Sequence, residues 1–97
     1  MSTPDPTTTV THDSDKQRYE IHVDGTLAGY ATAEENGGRV VFPHTVVFDE
    51  FEGKGVASVL VAHSLDDVRN RGKKVVSTCP YVSHFIEKHP RYADLLA

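Results

Sequence analysis

The sequence has one cysteine and no long apolar run, and each shortage excludes a class of protein. Cys79 has no second cysteine with which to form an internal disulfide, so a disulfide-rich secreted domain is excluded. No apolar stretch approaches the roughly 18 residues of a membrane-spanning helix or forms the core of a secretion signal. We therefore expect an intracellular, cytoplasmic protein with no membrane partner.

The chain also has fewer basic than acidic residues. Ten Lys and Arg residues stand against 14 Asp and Glu residues, which gives a formal net charge of −4. A nucleic-acid-binding domain usually has a basic surplus, so nucleic acid is not an expected partner. A chain of 97 residues with 38% hydrophobic residues is typical of one globular domain built around a single core.

The chain divides into a polar start and a patterned remainder. Residues 1–16 are rich in Thr, Ser, Pro and Asp and offer little to bury, so ordering them would cost entropy without return. We expect a flexible tail over residues 1–16 and a folded domain over residues 17–97.

The first half of this domain has strand patterns. Apolar and polar residues alternate over 18–24, and a weaker strand pattern covers 27–34. Asn36 to Gly38 supplies the positive φ angles of a tight hairpin. A short third strand is predicted over 39–42, and a fourth over 44–49, whose centre is nearly all apolar. The pattern predicts a meander of four strands.

The second half has one face of an amphipathic helix, then a strand, then a second helix. The predicted helix face consists of Ala57, Leu60, Val61, Ser64, Leu65 and Val68. This helix should end near Arg71, before a fifth strand over 73–78. Pro80 should open the second helix with Cys79 as its N-cap, and Pro90 should end it. The sequence predicts an α+β sandwich in which the fourth strand, the first helix and the fifth strand form a parallel crossover.

A glycine loop from Glu52 to Ser58 joins the fourth strand to the first helix. Gly53 and Gly55 allow positive φ and a close approach of the backbone to a ligand. The first N–H groups of the helix are unpaired and carry partial positive charge, so the loop could hold an anionic group such as a diphosphate. The alternative is a plain strand-to-helix turn, because short glycine pairs are common and the Walker lysine-hydroxyl pattern is absent.

This loop and its flanking elements resemble the acetyl-coenzyme A motif of the GNAT acetyltransferases, written Arg/Gln-x-x-Gly-x-Gly/Ala. The second glycine and the final Gly/Ala fall on Gly55 and Ala57, whereas Glu52 stands at the leading Arg/Gln position. Together with this loop, His44-Thr45-Val46 and Cys79-Pro80-Tyr81-Val82 most resemble the small single-domain, YjdJ-like branch of that superfamily.

The resemblance covers residues 17–97 and implies a GNAT-like mixed sheet of about five strands, with a crossover helix and a C-terminal helix. It also implies acetyl-coenzyme A as cosubstrate. The implied cofactor-binding residues are Val46, Val47, Glu52, Gly53, Lys54, Gly55, Val56, Ala57 and Ser58. Loop amides would bind the diphosphate, Lys54 would add a charge, and the backbone of Val46 and Val47 would pair with the pantetheine arm.

Cys79 and His44 are the candidate catalytic residues. In larger relatives a tyrosine reprotonates the leaving thiolate, but Ile86 occupies its place here. At a helix N-terminus, Cys79 would favour the thiolate and could accept the acetyl group or donate the proton; the alternative is a small buried hydrophobe. His44 could take a proton from an attacking amine, or could be an edge histidine bonded to a turn. No metal site is expected.

The predicted function is acyl transfer, in which acetyl passes from acetyl-coenzyme A to an unidentified amine or other nucleophile, directly or through Cys79. A noncatalytic coenzyme A binding module and a plain protein-interaction domain are the alternatives. The N-terminal helices that build the acceptor pocket in larger relatives have no counterpart here. We therefore expect an open acceptor site, or one that a partner completes. The sequence identifies neither the acceptor nor the oligomeric state.

Overall fold

Residues 7–97 fold into seven strands and two α-helices in a computed structural model. The strands are β1 (Thr8–Asp13), β2 (Arg18–Val23), β3 (Thr26–Thr32), β4 (Glu34–Asn36), β5 (Arg39–Phe42), β6 (Thr45–Val47) and β7 (Lys74–Ser77). The helices are α1 (Val56–Asn70) and α2 (Pro80–Lys88), and short 3₁₀ segments follow β6 and α2 at Asp49–Phe51 and Pro90–Leu95. The predicted α+β class is confirmed.

The strands form two sheets. One has the order β1-β2-β3-β6 and is antiparallel throughout, and the other has the order β4-β5-β7. In the second sheet β4 and β5 are antiparallel, whereas β5 and β7 are parallel. The predicted strand over 27–34 corresponds to β3 and the start of β4.

The expectation of a flexible tail is wrong for β1. All six residues of this strand pair antiparallel with β2. Val10 packs against the core, and the His12 ring stacks on Tyr19 with 4.5 Å between ring centroids. The sequence pattern is weak because Val10 is the one apolar residue of the strand and a histidine takes the next inward position. The first part of the predicted tail, residues 1–6, lies outside the described residues.

The predicted parallel crossover is also wrong in its pairing, because β7 pairs with β5 and not with β6. The last hydrogen bond between β7 and β5 runs from the Thr78 N–H to the Phe42 carbonyl oxygen at 3.2 Å. Pro43, which has no N–H to donate, then separates β5 from β6. The connection from β5 to β6 also contains one extra residue. Thr45 lies four residues after Val41, whereas their partners Ala31 and Glu34 are only three residues apart. Beyond this point β6 diverges from β7, and no strand within residues 7–97 pairs with the outer edge of β6.

The core lies between α1 and the facing side of the sheets. Five of the six predicted positions on α1 are buried, from Leu60 to Val68, and Ala57 is half-buried. Tyr19, Ile21 and Phe42 supply large side chains from the strands. The Ser64 hydroxyl is satisfied within the helix by the Leu60 carbonyl at 2.7 Å. This packing fixes the direction of α1 and therefore the position of its N-terminus.

An ion-pair network stabilises the C-terminal end of α1. The Glu35 carboxylate accepts hydrogen bonds from the Arg71 guanidinium at 3.1 Å and from the Lys73 ammonium at 2.5 Å. Arg71 also donates to Asp67 at 3.0 Å and to the Tyr19 hydroxyl at 2.9 Å. Burial alone would raise the pKa of Glu35, but the bonds from Arg71 and Lys73 outweigh it and hold that pKa below its usual value.

Glu35→Gln should lower the free energy of unfolding by about 1–2 kcal/mol at neutral pH, because Arg71 and Lys73 both lose the negative charge of this carboxylate. A lowered folded-state pKa means that ionised Glu35 stabilises the fold above its unfolded-state pKa, and that this contribution is lost as the pH falls through the folded-state pKa. Urea denaturation should therefore show a difference between wild type and variant that shrinks from about pH 7 to about pH 3.

Glu34→Gln is the matched control, since Glu34 is exposed and makes no ion pair with any residue of 7–97. An equal loss in both variants would contradict the role given to the Glu35 network.

Candidate functional site

The glycine loop presents a run of free backbone amides. Gly53 and Gly55 have φ of +77° and +74°, in the left-handed region that favours glycine, and Gly55 is the N-cap of α1. The first bond of the helix runs from the Val59 N–H to the Gly55 carbonyl oxygen at 3.3 Å. Within residues 7–97, no N–H from Gly53 to Ser58 donates a hydrogen bond to the chain. These amides can therefore bind an anion.

The side chains of the loop point mostly to solvent. Glu52, Lys54 and Ser58 are exposed, whereas Val56 is 7% exposed and anchors the first turn of α1 in the core. The Lys54 ammonium lies 6.0 Å from the ring centroid of Phe51. The loop thus combines free amides with one cation and, at Glu52, one anion.

The unpaired edge of β6 offers the backbone groups of Thr45 and Val47. The Thr32 N–H donates to the His44 carbonyl oxygen at 2.9 Å, and the Phe48 N–H donates to the Ala28 carbonyl oxygen at 2.9 Å. Successive residues of an antiparallel strand direct their backbone groups to opposite sides. The backbone of Val46 therefore faces β3, and that of Thr45 and Val47 faces the open edge.

Thr45 is thus a candidate residue that the sequence analysis missed, and Val46 is a predicted one whose backbone the structure turns away from the edge. The alternation of backbone direction is a usable signal only when the pairing register is known. That register depends on β3, a segment distant in the chain, so a single sequence does not reveal which of the two neighbours faces outward.

Cys79 lies at the apex of the gap between β6 and β7. It is the N-cap of α2, as predicted, but its side chain makes no capping bond. Cys79 is 5% exposed, and its thiol donates to the Thr45 hydroxyl at 3.6 Å, across the gap. The Cys79 carbonyl oxygen accepts the Ser83 N–H at 3.0 Å. The structure therefore brings Cys79 together with the start of the β6 edge.

His44 is exposed and immediately precedes β6. Side chains alternate between the two faces of a strand, so the His44 imidazole lies on the face opposite the Thr45 side chain that contacts Cys79. The structure therefore does not bring the two candidate catalytic side chains together. An imidazole in this position can serve an acceptor that approaches from the outer face of the sheet.

Two residues of α2 complete the surroundings of the gap. Ile86 is 3% exposed and belongs to the core, so a packing residue stands at the position where the resemblance implied a tyrosine acid in larger relatives. Tyr81 is 39% exposed, and its hydroxyl lies 3.1 Å from that of Ser58 on the first turn of α1. This pair of hydroxyls bridges the N-termini of the two helices.

Within residues 7–97, no three His, Cys, Asp or Glu side chains come close enough together to hold a metal ion. The helices of the same region include none with the length and apolar character needed to cross a membrane.

Comparison with known proteins places this geometry in a family. The model of the family described as GCN5-related N-acetyl-transferase matches residues 18–95. The chain is 28% identical to Protein NATD1 of Xenopus tropicalis and 29% identical to that of Mus musculus, over 83 residues in each case. These alignments cover 84% of this chain and 76% of each relative.

Solved structures share the fold. A GCN5-like putative N-acetyltransferase from Staphylococcus aureus aligns with a TM-score of 0.69 and 21% identity, over 92% of this chain and 87% of that one. The ribosomal-protein-S18-alanine N-acetyltransferase of Escherichia coli aligns with a TM-score of 0.63 and 14% identity, over 73% of this chain and 49% of that one. The family that the loop motif indicated is confirmed: the chain belongs to the GCN5-related N-acetyltransferases and is classed with these acetyltransferases.

Proposed function

We propose that the chain is a cytoplasmic enzyme that transfers acetyl from acetyl-coenzyme A to an amine or another nucleophile. The observation that carries the proposal is the unpaired edge of β6, which leads from the Cys79 thiol towards the amide-lined loop. A ligand with an anionic group at one end and a reactive thioester at the other matches this arrangement.

Each part of the coenzyme has a counterpart in the chain. The amides from Gly53 to Ser58 bind the diphosphate, and Lys54 adds a positive charge. The pantetheine arm pairs with the backbone of Thr45 and Val47, as an added strand would. Glu52 is exposed, so its carboxylate can turn into solvent and away from the diphosphate.

Transfer can proceed through Cys79. The thiolate attacks the thioester carbonyl carbon, a bond forms between the acetyl group and Sγ, and the bond to the coenzyme sulfur breaks. The coenzyme leaves as a thiolate and takes up a proton from solvent. An acceptor amine then attacks the acetyl-cysteine and loses a proton to solvent, and the Cys79 thiolate is released. In direct transfer the amine attacks the bound coenzyme instead, with His44 taking its proton.

A noncatalytic coenzyme A binding module is the second candidate. Two observations favour this module: Cys79 is buried, and Ile86 is a packing residue. Neither residue is therefore an evident proton donor for the leaving coenzyme thiolate. If the protein releases the coenzyme thiol from acetyl-coenzyme A, and if this release rises with added amine, the result supports the enzyme. If coenzyme A binds but no thiol is released from acetyl-coenzyme A, the result supports the binding module. A protein-interaction domain would be favoured if coenzyme A did not bind.

Gly55→Ala should weaken coenzyme A binding by about tenfold or more, because an added Cβ and the strained positive φ disturb the loop where the backbone approaches the diphosphate. Isothermal titration calorimetry with coenzyme A measures this directly. No heat of binding to the wild type at about millimolar ligand would refute the proposed site.

Gly25→Ala is the matched control. Gly25 has φ of +82°, and a Cβ there would meet no atom within 4 Å, as at Gly55. Both variants should therefore lose about 1–2 kcal/mol of unfolding free energy, but Gly25→Ala should bind coenzyme A as the wild type does. Equal weakening by both variants would show that loss of stability, and not the loop, reduces binding.

A further inference from the structure

The two sheets of residues 7–97 end in four outer strands, which are β1, β6, β4 and β7. The outer edge of β7 is covered by the C-terminal segment, because the Ala97 N–H donates to the Val75 carbonyl oxygen at 3.0 Å. The strand β4 is only three residues long, and the Glu35 N–H at its outer edge donates to the Gln17 side chain at 2.7 Å. In the proposed function the edge of β6 receives the pantetheine arm. The edge of β1 is the one that remains.

Two residues of β1 present their backbone groups at this edge. The Asp24 N–H donates to the Thr7 carbonyl oxygen at 2.7 Å, so the backbone of Thr7 faces β2. Because backbone direction alternates along an antiparallel strand, Val10 and His12 face away from β2. Within residues 7–97, the backbone groups of Val10 and His12 make no hydrogen bond outside the strand pairing. They can therefore pair with an added strand.

The strand β1 also lacks the features that usually keep edge strands apart. Natural edges are blunted by lysine or proline, by bulges or by short length. The strand is six residues long and contains neither lysine nor proline, but three threonines and one valine, which suit a paired strand. Its pairing with β2 is continuous, whereas the pairing of β2 with β3 is shifted between Ile21 and His22. The edge of β1 is therefore open to a neighbouring strand.

This strand is complementary to itself when two copies run antiparallel with Val10 opposite Val10. The two outward-facing backbones then exchange hydrogen bonds at this position. Val10 is only partly buried against the core, so the valine of the second copy would cover part of its exposed surface. On the other face of the sheet, Thr9 of each copy lies opposite Thr11 of the other, and both residues are exposed. This register places no like charges opposite each other over residues 9–11.

We propose that β1 pairs antiparallel with β1 of a second copy of this chain, so that two four-stranded sheets become one continuous sheet of eight strands. The occupant is a second copy because the register requires no sequence other than that of β1 itself. The strand order places β6 at the opposite end of the sheet, so the dimer leaves the edge of β6 open in each copy. The inference does not depend on coenzyme binding.

Sedimentation equilibrium of the full chain between about 10 µM and about 1 mM tests the inference. Contact through one short strand is small, so we expect a weak dimer with a dissociation constant of about 100 µM. The weight-average mass of the wild type should rise over this range from that of one chain towards that of two. A mass of one chain at every concentration would overturn the inference.

Two double variants place charges at the contact between Thr9 and Thr11. Thr9→Lys with Thr11→Lys sets two lysines opposite each other, twice in each dimer, and should weaken association. Thr9→Glu with Thr11→Lys sets opposite charges there and should preserve it. The two dissociation constants should differ by about tenfold or more. The first variant has the smaller net negative charge, so general repulsion between chains would act in the opposite direction.

The two variants differ only at residue 9, and both place the lysine at position 11 opposite Glu20 of β2. The two variants should therefore fold alike, which urea denaturation checks, and should bind coenzyme A as the wild type does. Equal association of the two variants, whether both associate or neither does, overturns the inference and leaves the proposed function standing.

Discussion

Gly29→Ala is expected to lower the free energy of unfolding by about 2–4 kcal/mol, because β3 and β6 approach too closely at this point for any side chain. A Cβ on Gly29 would lie 2.3 Å from the Val46 carbonyl oxygen and 3.1 Å from the Val47 Cα. Both atoms belong to the backbone, so no side-chain rotation can relieve the clash. The strand β6 itself must move.

Gly38→Ala provides the comparison, because a Cβ there would meet nothing within 4 Å. Urea denaturation should show little change for this variant and a clear loss for Gly29→Ala. The displaced β6 should also bind coenzyme A more weakly, since its edge supplies the backbone groups of Thr45 and Val47. Unchanged stability and binding in Gly29→Ala would mean that the close approach does not constrain β6.

The features that were predicted correctly from the sequence are local ones. The burial of α1 follows from side-chain spacing within the helix. The left-handed conformation of Gly55 before α1 is a single-residue requirement of the backbone, and Cys79 and Pro80 open α2 as their chemistry favours. Such features depend on neighbours within one or two turns, which a sequence displays directly.

The features that were missed are pairings between distant segments. The strand β1 contains one apolar residue, and its order comes from pairing with β2 and from the stacking of His12 on Tyr19. The divergence of β6 from β7 depends on Pro43 and on one extra residue opposite β3. In the sequence Gly29 merely weakens a strand pattern; its contact with Val46 becomes visible only when the register is known.

The candidate site likewise combines a local feature, which the sequence displays, with a contact between distant segments, which it does not. The loop from Gly53 to Ser58 is one continuous segment, so its glycines and free amides were recognisable in the sequence. The β6 edge and the position of Cys79 beside Thr45 join segments 34 residues apart. The sequence therefore predicted an anion-binding loop and a cysteine after the fifth strand, but not the contact of Cys79 with Thr45 across the gap between β6 and β7.

Acetylation of Cys79 is the result that separates an enzyme using a cysteine intermediate from a binding module. After incubation with acetyl-coenzyme A, intact-mass spectrometry should show the gain of one acetyl group in the wild type and none in Cys79→Ala. A thioester is cleaved by neutral hydroxylamine, whereas an acetylated lysine is not. Loss of the adduct on hydroxylamine treatment therefore assigns the acetyl group to sulfur.

The burial of Cys79 sets the control for this experiment. Because Cys79 is 5% exposed and its thiol is hydrogen-bonded to Thr45, removal of the thiol leaves a small cavity and should cost about 1 kcal/mol of unfolding free energy. Cys79→Ala should nevertheless bind coenzyme A, since the loop amides and the β6 edge remain in place. Binding without an adduct in the variant, with an adduct in the wild type, assigns the acyl-carrier role to the thiol. If the wild type binds the coenzyme and gains no acetyl group, Cys79 is not the carrier, and amine-dependent thiol release then decides between direct transfer and the binding module.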